Sequence, residues 1–363
     1  MQPNNSVQRS KSNFIFSFAA IIICLAGIKF SATLLVPFLL SLFVAIICSP
    51  AIQFLGKHNV PRGLAITMII FFIFLAFTML GSVVASSANG FRLALPTYQA
   101  QLSSELQWLT AYLEKYNISV SLNDIQEHFD PAKVMSLVSS TLSGFSSVLG
   151  NVFLLLLTVI FMLGEGVIFS KKLHLAFGES QDTEARVAHF LKVVNQYMAI
   201  KTMISIVTGL IIGSLLWMMN VDFFVLWGLL AFLLNYIPNI GSIIAAVPAV
   251  ILTFLQLGFA PAAGVIALFV SVNVIMGSVV EPRFMGRSLG LSTLVVFMSL
   301  IFWGWLLGLV GMLLSVPLTM IFKIALENTK EGRKYAILLS SDEEVEQMLK
   351  AEMIIEEKES TKE

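Results

Sequence analysis

Asn235-Tyr-Ile-Pro-Asn-Ile-Gly-Ser242 breaks a run of 35 residues, 223–257, that contains no charged side chain. A second run of equal length, 290–324, carries one charge, Lys323, near its end and is interrupted near its middle by Phe302-Trp-Gly-Trp305. As an unbroken helix each run would extend about 50 Å, against a hydrocarbon core of about 30 Å. Each is therefore expected to fold back as a hairpin of short halves. Backbone that breaks at membrane depth persists only where it is buried in protein or lines a wet cavity. A solute pathway is expected in the last third of the chain.

Composition places the rest of the chain in the same setting. Of 363 residues, 57% are hydrophobic, 12% are charged and 29 are phenylalanine, and the mean hydropathy is +0.87. A soluble domain is typically about 25% charged. The reading is an all-α, polytopic membrane protein whose partners are the lipid bilayer and a small-molecule solute. A net charge of zero points to no nucleic acid or other highly charged partner. Cys24 and Cys48 both lie in apolar segments, so no disulfide framework is expected. The apolar run 14–30 follows Arg9 and Lys11 but lacks a small-residue cleavage site, and is read as a retained anchor.

Further apolar segments fall at 32–47, 63–88, 148–164, 197–219 and 262–280. With the N-terminus inside, 17 of the 22 lysines and arginines fall on the cytoplasmic side, which sets both termini there. About six full spans plus two opposed re-entrant hairpins fit this pattern, and so do ten full spans. Neither hairpin tip carries a lysine or arginine, which favours re-entrance, the first hairpin entering from outside and the second from inside. The chain divides into N-terminal transmembrane helices (1–88), an outer-face amphipathic helical region (89–147), a transport core (148–326, with hairpins 223–257 and 290–324) and a charged cytoplasmic tail (327–363). Leu102, Leu106, Leu109 and Leu113 recur at helical spacing, and Asp130-Pro131 reads as a helix start.

No enzyme signal is present. There is no phosphate-cradling GxxxxGK[ST] motif, and His58, His128, His174 and His189 make no metal-ligand pattern, so no metal or cofactor is expected. Candidate working residues are polar groups at membrane depth, where they are costly and tend to mark pathways. Asn235, Pro238, Asn239 and Ser242 give the first tip amide, hydroxyl and freed backbone groups for a neutral, hydroxyl-rich solute; the plainer reading is that they satisfy the turn. Asn273 lies eight residues before Glu281, on roughly the same helix face. Glu281, near Arg283 and Arg287, is read as a proton or cation acceptor, as a gate paired with one of those arginines, or as an ordinary positive-inside turn. Lys201 is expected to snorkel to the cytoplasmic interface rather than bind ligand, and Asp222 to cap the first hairpin. Trp303 reads either as an interfacial anchor or as a flat wall for a ring-shaped solute.

The long segments Phe224-Val-Leu-Trp-Gly-Leu-Leu-Ala-Phe-Leu-Leu-Asn-Tyr-Ile-Pro-Asn-Ile-Gly-Ser242 and Glu281-Pro-Arg-Phe-Met-Gly-Arg-Ser-Leu-Gly-Leu-Ser-Thr-Leu-Val-Val-Phe297 resemble the signature segments of the autoinducer-2 exporter family of bacterial inner-membrane proteins. Lys201-Thr-Met-Ile-Ser205 and the run from Phe302 to Leu318 extend the likeness, which reaches to about Leu339; the acidic tail lies beyond it. The resemblance implies export of autoinducer-2, a small polyhydroxylated signal, by a homo-oligomer, a pentamer. Other branches of that family are sodium or lithium/proton antiporters, so antiport with Glu281 as the exchanged carboxylate is the alternative. A third possibility is a non-transporting membrane scaffold. The leading expectation is a secondary exporter in which Asn235, Asn239, Ser242 and Asn273 contact solute while Glu281, Arg283 and Lys201 serve gating or ion coupling.

Overall fold

The computed structural model describes residues 5–114, 152–177, 181–238, 240–285, 290–327, 329 and 331–360. Among them there is no strand. The helices are α1 (Asn5–Phe30), α2 (Ala32–Lys57), α3 (Arg62–Glu114), α4 (Val152–Phe177), α5 (Gln181–Met218), α6 (Phe224–Leu234), α7 (Gly241–Leu257) and α8 (Phe259–Val274). A π-helical segment, Ile275–Val280, continues α8 into the single turn α9 (Glu281–Met285); α10 (Thr293–Leu313), α11 (Ser315–Glu327), α12 (Gly332–Leu339) and α13 (Asp342–Ser360) follow. Among the described residues, five stretches are long and apolar enough to cross a membrane: Ala32–Lys57, Arg62–Ala94, Lys192–Met218, Phe259–Phe284 and Thr293–Leu313. Large apolar side chains on them, such as Phe71, Phe72 and Leu210, are more than half exposed. In water such a surface would be untenable; in lipid it costs nothing. The protein is a polytopic helical membrane protein.

The first charge-free run forms a hairpin. α6 is 11 residues long and α7 is 17, so the arms extend about 16 Å and 26 Å, each short of the hydrocarbon core. Residues 235–238 and Ile240 lie in the turn between them. Pro238 has no amide to continue α6, and its carbonyl accepts the Ile240 amide at 2.6 Å in a tight turn.

The second run also folds back, but not where the tryptophans predict. Residues 302–305 are helical, and the chain turns at Gly308 (φ 69, ψ −149). Thr293–Leu313 is thus not one straight crossing: a Cβ on Gly311 would lie 2.0 Å from the Trp303 carbonyl oxygen, a proximity that a continuous helix cannot produce eight residues apart. The reason for the shift is steric. Tryptophan sits comfortably in a helix, whereas a positive φ is open at low cost only to glycine. Trp303 and Thr319, on opposite arms, are joined by an indole Nε1–H donating to Oγ1 at 3.0 Å.

α5 organises both hairpins. Its residues Ile204, Ile212 and Leu216 share a buried core with Trp227, Leu230 and Leu234 of the first hairpin. Residues nearer its N-terminal end, Val194, Tyr197 and Met198, share a different core with Leu306, Val310 and Leu318 of the second. The two hairpins therefore pack toward opposite ends of one helix. Where α5 crosses α6 the backbones nearly touch: a Cβ on Gly209 would lie 2.7 Å from the Gly228 carbonyl oxygen.

The region expected at 89–147 as separate outer helices starts differently. α3 runs without a break for 53 residues, about 80 Å, and carries residues 89–114 as its own extension. Phe91 and Tyr98 of that extension are buried against the first hairpin. Residues 115–151, with Asp130-Pro131, lie outside the described residues. Asp222 does not cap the hairpin: Phe223 takes the cap position without a side-chain bond, and the Asp222 carboxylate accepts the Tyr98 hydroxyl at 2.7 Å. Gln256 closes the other arm onto the same turn, accepting the Asp222 amide at 2.8 Å and donating to the Asn220 carbonyl at 3.0 Å.

Candidate functional site

In the middle of α5, Tyr197, Lys201, Ser205 and Thr208 recur at spacings of four, four and three, the repeat of one helix face. All four are buried. A polar stripe inside an apolar span has to be satisfied by whatever it faces. Two partners are on the first hairpin tip. Asn235 Nδ2 donates to Ser205 Oγ at 2.9 Å, and the Tyr236 hydroxyl donates to Thr202 Oγ1 at 2.8 Å. The tip therefore docks on the middle of a long span, about 15 Å from Lys192 and about 20 Å from Met218 along the helix.

The third partner comes from eighty residues away. Lys201 Nζ donates to Glu281 Oε1 at 2.7 Å, with Lys201 3% and Glu281 22% exposed. The π-helical segment makes this contact possible. The Glu281 amide bonds to the Met276 carbonyl five residues back, so one extra residue fits in the turn and every later side chain is rotated by about 100°. Pro282 follows at once, and having no amide it releases the carbonyl that a regular helix would have used. Tyr197, one turn before Lys201 on the same helix face, is buried as well.

This geometry revises several expectations. Lys201 does not snorkel: it is enclosed, because a carboxylate meets it inside the bundle. Glu281 pairs with Lys201 and not with Arg283, which is exposed; Arg287 lies outside the described residues. The extra residue of the π segment keeps Asn273 and Glu281, eight residues apart, near one face of the continuous helix. Asn273 lines a groove between α7 and α8, and Ser242 sits in the same groove among Ile243, Ala246, Val250 and Ile266. Trp303 has its indole N–H committed to Thr319. Trp305 is exposed, and the Lys29 ammonium stands 4.1 Å from its ring centroid. Asn239 lies outside the described residues.

Of the nine residues expected to form the pathway and gate, three make contacts centred on α5: Asn235 bonds to Ser205 and Lys201 pairs with Glu281, beside the turn that holds Pro238. Thr202, Ser205 and Tyr236 take part in these contacts, Tyr197 is buried on the same helix face as Lys201, and none of the four was singled out by sequence. The spacing of Tyr197, Lys201 and Ser205 in an otherwise apolar stretch was the available signal. Chemically the cluster offers three amide or phenol groups, two aliphatic hydroxyls and one neutralised ion pair, which suits exchange of hydrogen bonds with a small polar solute. Among the described residues, no group of three or more His, Cys, Asp or Glu side chains is placed to hold a metal ion.

A helical bundle with a broken hairpin docked at mid-span on a polar helix face defines the general class of membrane transport proteins. Comparison with known families makes this specific: the model for AI-2E family transporters matches residues 18–331, and the chain belongs to that family. It is 43% identical over 326 residues to the AI-2 transport protein TqsA of Escherichia coli K12, covering 90% of this chain and 95% of TqsA. A Haemophilus influenzae protein known by name only as a candidate for transport is 45% identical over 350 residues, 95% of this chain and 99% of its own. YhhT of Escherichia coli K12, also assigned to transport by name only, is 41% identical over 327 residues.

Proposed function

We propose that this protein exports autoinducer-2 or a closely similar hydroxylated solute across the bacterial inner membrane, as a secondary transporter without a nucleotide site. Both hairpins are re-entrant in this reading, the termini are cytoplasmic, and the working unit is a homo-oligomer. The likeness to TqsA, named for AI-2 transport, supports the substrate. The observation that carries the reading is the docking of the first hairpin tip on α5 through neutral hydrogen bonds between an amide, a phenol and two hydroxyls. Each such bond is worth about 1 kcal/mol net. A polyol presents the same groups, so it replaces the tip's bonds one for one as it passes, with little change in energy. Next to this contact the Lys201–Glu281 pair forms an inner gate: protonating Glu281 cancels the attraction that holds α5 to the π segment, which links solute passage to a proton gradient.

A second reading, sodium or lithium/proton antiport, is favoured by the same half-buried carboxylate. Against it, an ammonium already stands at 2.7 Å where an alkali cation would sit. Everted membrane vesicles separate the two. Autoinducer-2 accumulation that falls when the proton gradient is collapsed supports export. Sodium- or lithium-dependent proton release with no accumulation of autoinducer-2 would replace it by antiport.

A further inference from the structure

The C-terminal segment is packed, not free. Ala336 is 1% and Ser340 5% exposed, and the Leu339 carbonyl accepts the Ser292 amide at 3.1 Å, which fastens α12 to the start of the second hairpin. Lys323, near the end of that hairpin's second arm, is 5% exposed. It donates to the Gly290 carbonyl at 2.6 Å and to the Glu344 carboxylate of α13, with the Glu327 carboxylate 3.6 Å away on its own helix. Gly290 has φ +62, and the space beside its Cα is filled by Lys323 Nζ and Glu344 Oε2. One ammonium thus joins the beginning of the hairpin, its end and the C-terminal helix.

The arrangement is asymmetric in strength. Gly290 and Glu327 belong to the hairpin or its last turn; among the described residues, Glu344 is the member of the cage that comes from outside it. A charge-assisted bond to Glu344 is about twice as strong as a neutral one. Any motion that parts the two arms at this mouth, the side from which an exporter loads, must break the cage first. The family model ends at residue 331, before α12 and α13 begin.

We infer that the C-terminal segment is an autoinhibitory clasp: Glu344 holds Lys323 across the mouth of the second hairpin, and solute loads only when that contact opens. The inference rests on the proposed role of the second hairpin in transport. Its test therefore includes a readout that needs no solute. In full-length protein carrying Cys24→Ala and Cys48→Ala, the reporter Ser340→Cys is buried under the clasp. Its labelling rate by a membrane-impermeant maleimide is measured in everted vesicles, alongside the initial rate of autoinducer-2 accumulation. Glu344→Gln is expected to raise both rates about tenfold, equivalent to about 1.4 kcal/mol. Glu344→Lys, which sets two cations together, raises labelling further, and Lys323→Arg keeps both rates near wild type. Wild-type labelling in Glu344→Gln and Glu344→Lys overturns the clasp, as does faster labelling combined with slower accumulation. If the parent protein accumulates no autoinducer-2, the substrate reading fails and the labelling series still decides the clasp.

Discussion

Glu281→Gln and Lys201→Met, singly and together, probe the site most directly. Lys201 is 3% exposed and its carboxylate partner stands at 2.7 Å. Removing one member of a buried pair costs about 3–5 kcal/mol, because the survivor is left charged and unpaired, whereas replacing both is often near neutral. Glu281 is 22% exposed, so water offsets part of its loss and the lower end of that range applies to Lys201→Met. Glutamine keeps an oxygen for the ammonium to donate to, which brings Glu281→Gln down to about 2 kcal/mol. The double variant has no stranded charge and should lie within about 1 kcal/mol of wild type, far from the sum of about 5. Equilibrium unfolding of the four proteins in micelles measures this coupling. The transport readout separates function from folding: the double variant should insert and fold normally, yet accumulate autoinducer-2 at a rate that ignores the proton gradient. Additivity within about 0.5 kcal/mol would show that the pair carries no interaction, and gradient-driven accumulation in the double variant would remove it from the coupling step.

Three other outcomes follow from the geometry. Tyr236→Phe removes one neutral bond to Thr202, about 1 kcal/mol, so the apparent affinity for autoinducer-2 should change less than tenfold, with fold and membrane insertion intact by size-exclusion profile. Gly308→Ala meets no neighbour within 4 Å but forces an alanine to φ 69, ψ −149, a region essentially reserved for glycine; a loss of about 1–3 kcal/mol in micellar unfolding is expected from conformation alone. Gly209→Leu drives a side chain into the Gly228 carbonyl, where even a Cβ would stand at 2.7 Å, and should abolish recovery of monodisperse protein after extraction.

What could be read from sequence was decided by length and charge. Two nearly charge-free runs, each too long for a single crossing and broken near its middle, point to hairpins without any knowledge of packing. The position of the second turn was not legible. Gly304, Gly308 and Gly311 are equivalent in composition, and only the backbone shows that Gly308 takes the positive φ while the more conspicuous tryptophans stay helical. Lys201 illustrates the other limit. Its place on a polar helix face was visible in the four-residue spacing, but its partner depended on an extra residue in a π turn, which no periodicity argument anticipates. The tail misled for a related reason. Its many charges suggest solvation, yet Ala336, Ser340 and Glu344 are spaced four apart and turn one face to the protein.

The two hairpins are held by the same device at opposite ends of the fold. The first is anchored at its base, where Tyr98 on the α3 extension bonds to Asp222, and its tip rests on α5 through two neutral bonds. The second is anchored at its base by Glu344 and Lys323, and its arms pack on the N-terminal part of α5 around Tyr197 and Met198. In each case the charged or carboxylate contact is at the base and the weaker neutral contacts are toward the tip or the core. Motion of the first hairpin's tip alone therefore breaks only bonds of about 1 kcal/mol, while displacing a whole hairpin requires undoing an anchor. Tyr197 belongs to the core of the second hairpin and stands one turn from Lys201, so a shift of that hairpin reaches the ion pair through a single side chain. Tyr197→Ala should accordingly disturb gradient sensitivity even though it removes no partner of Lys201 or Glu281; unchanged coupling in that variant would mean that the two hairpins move independently.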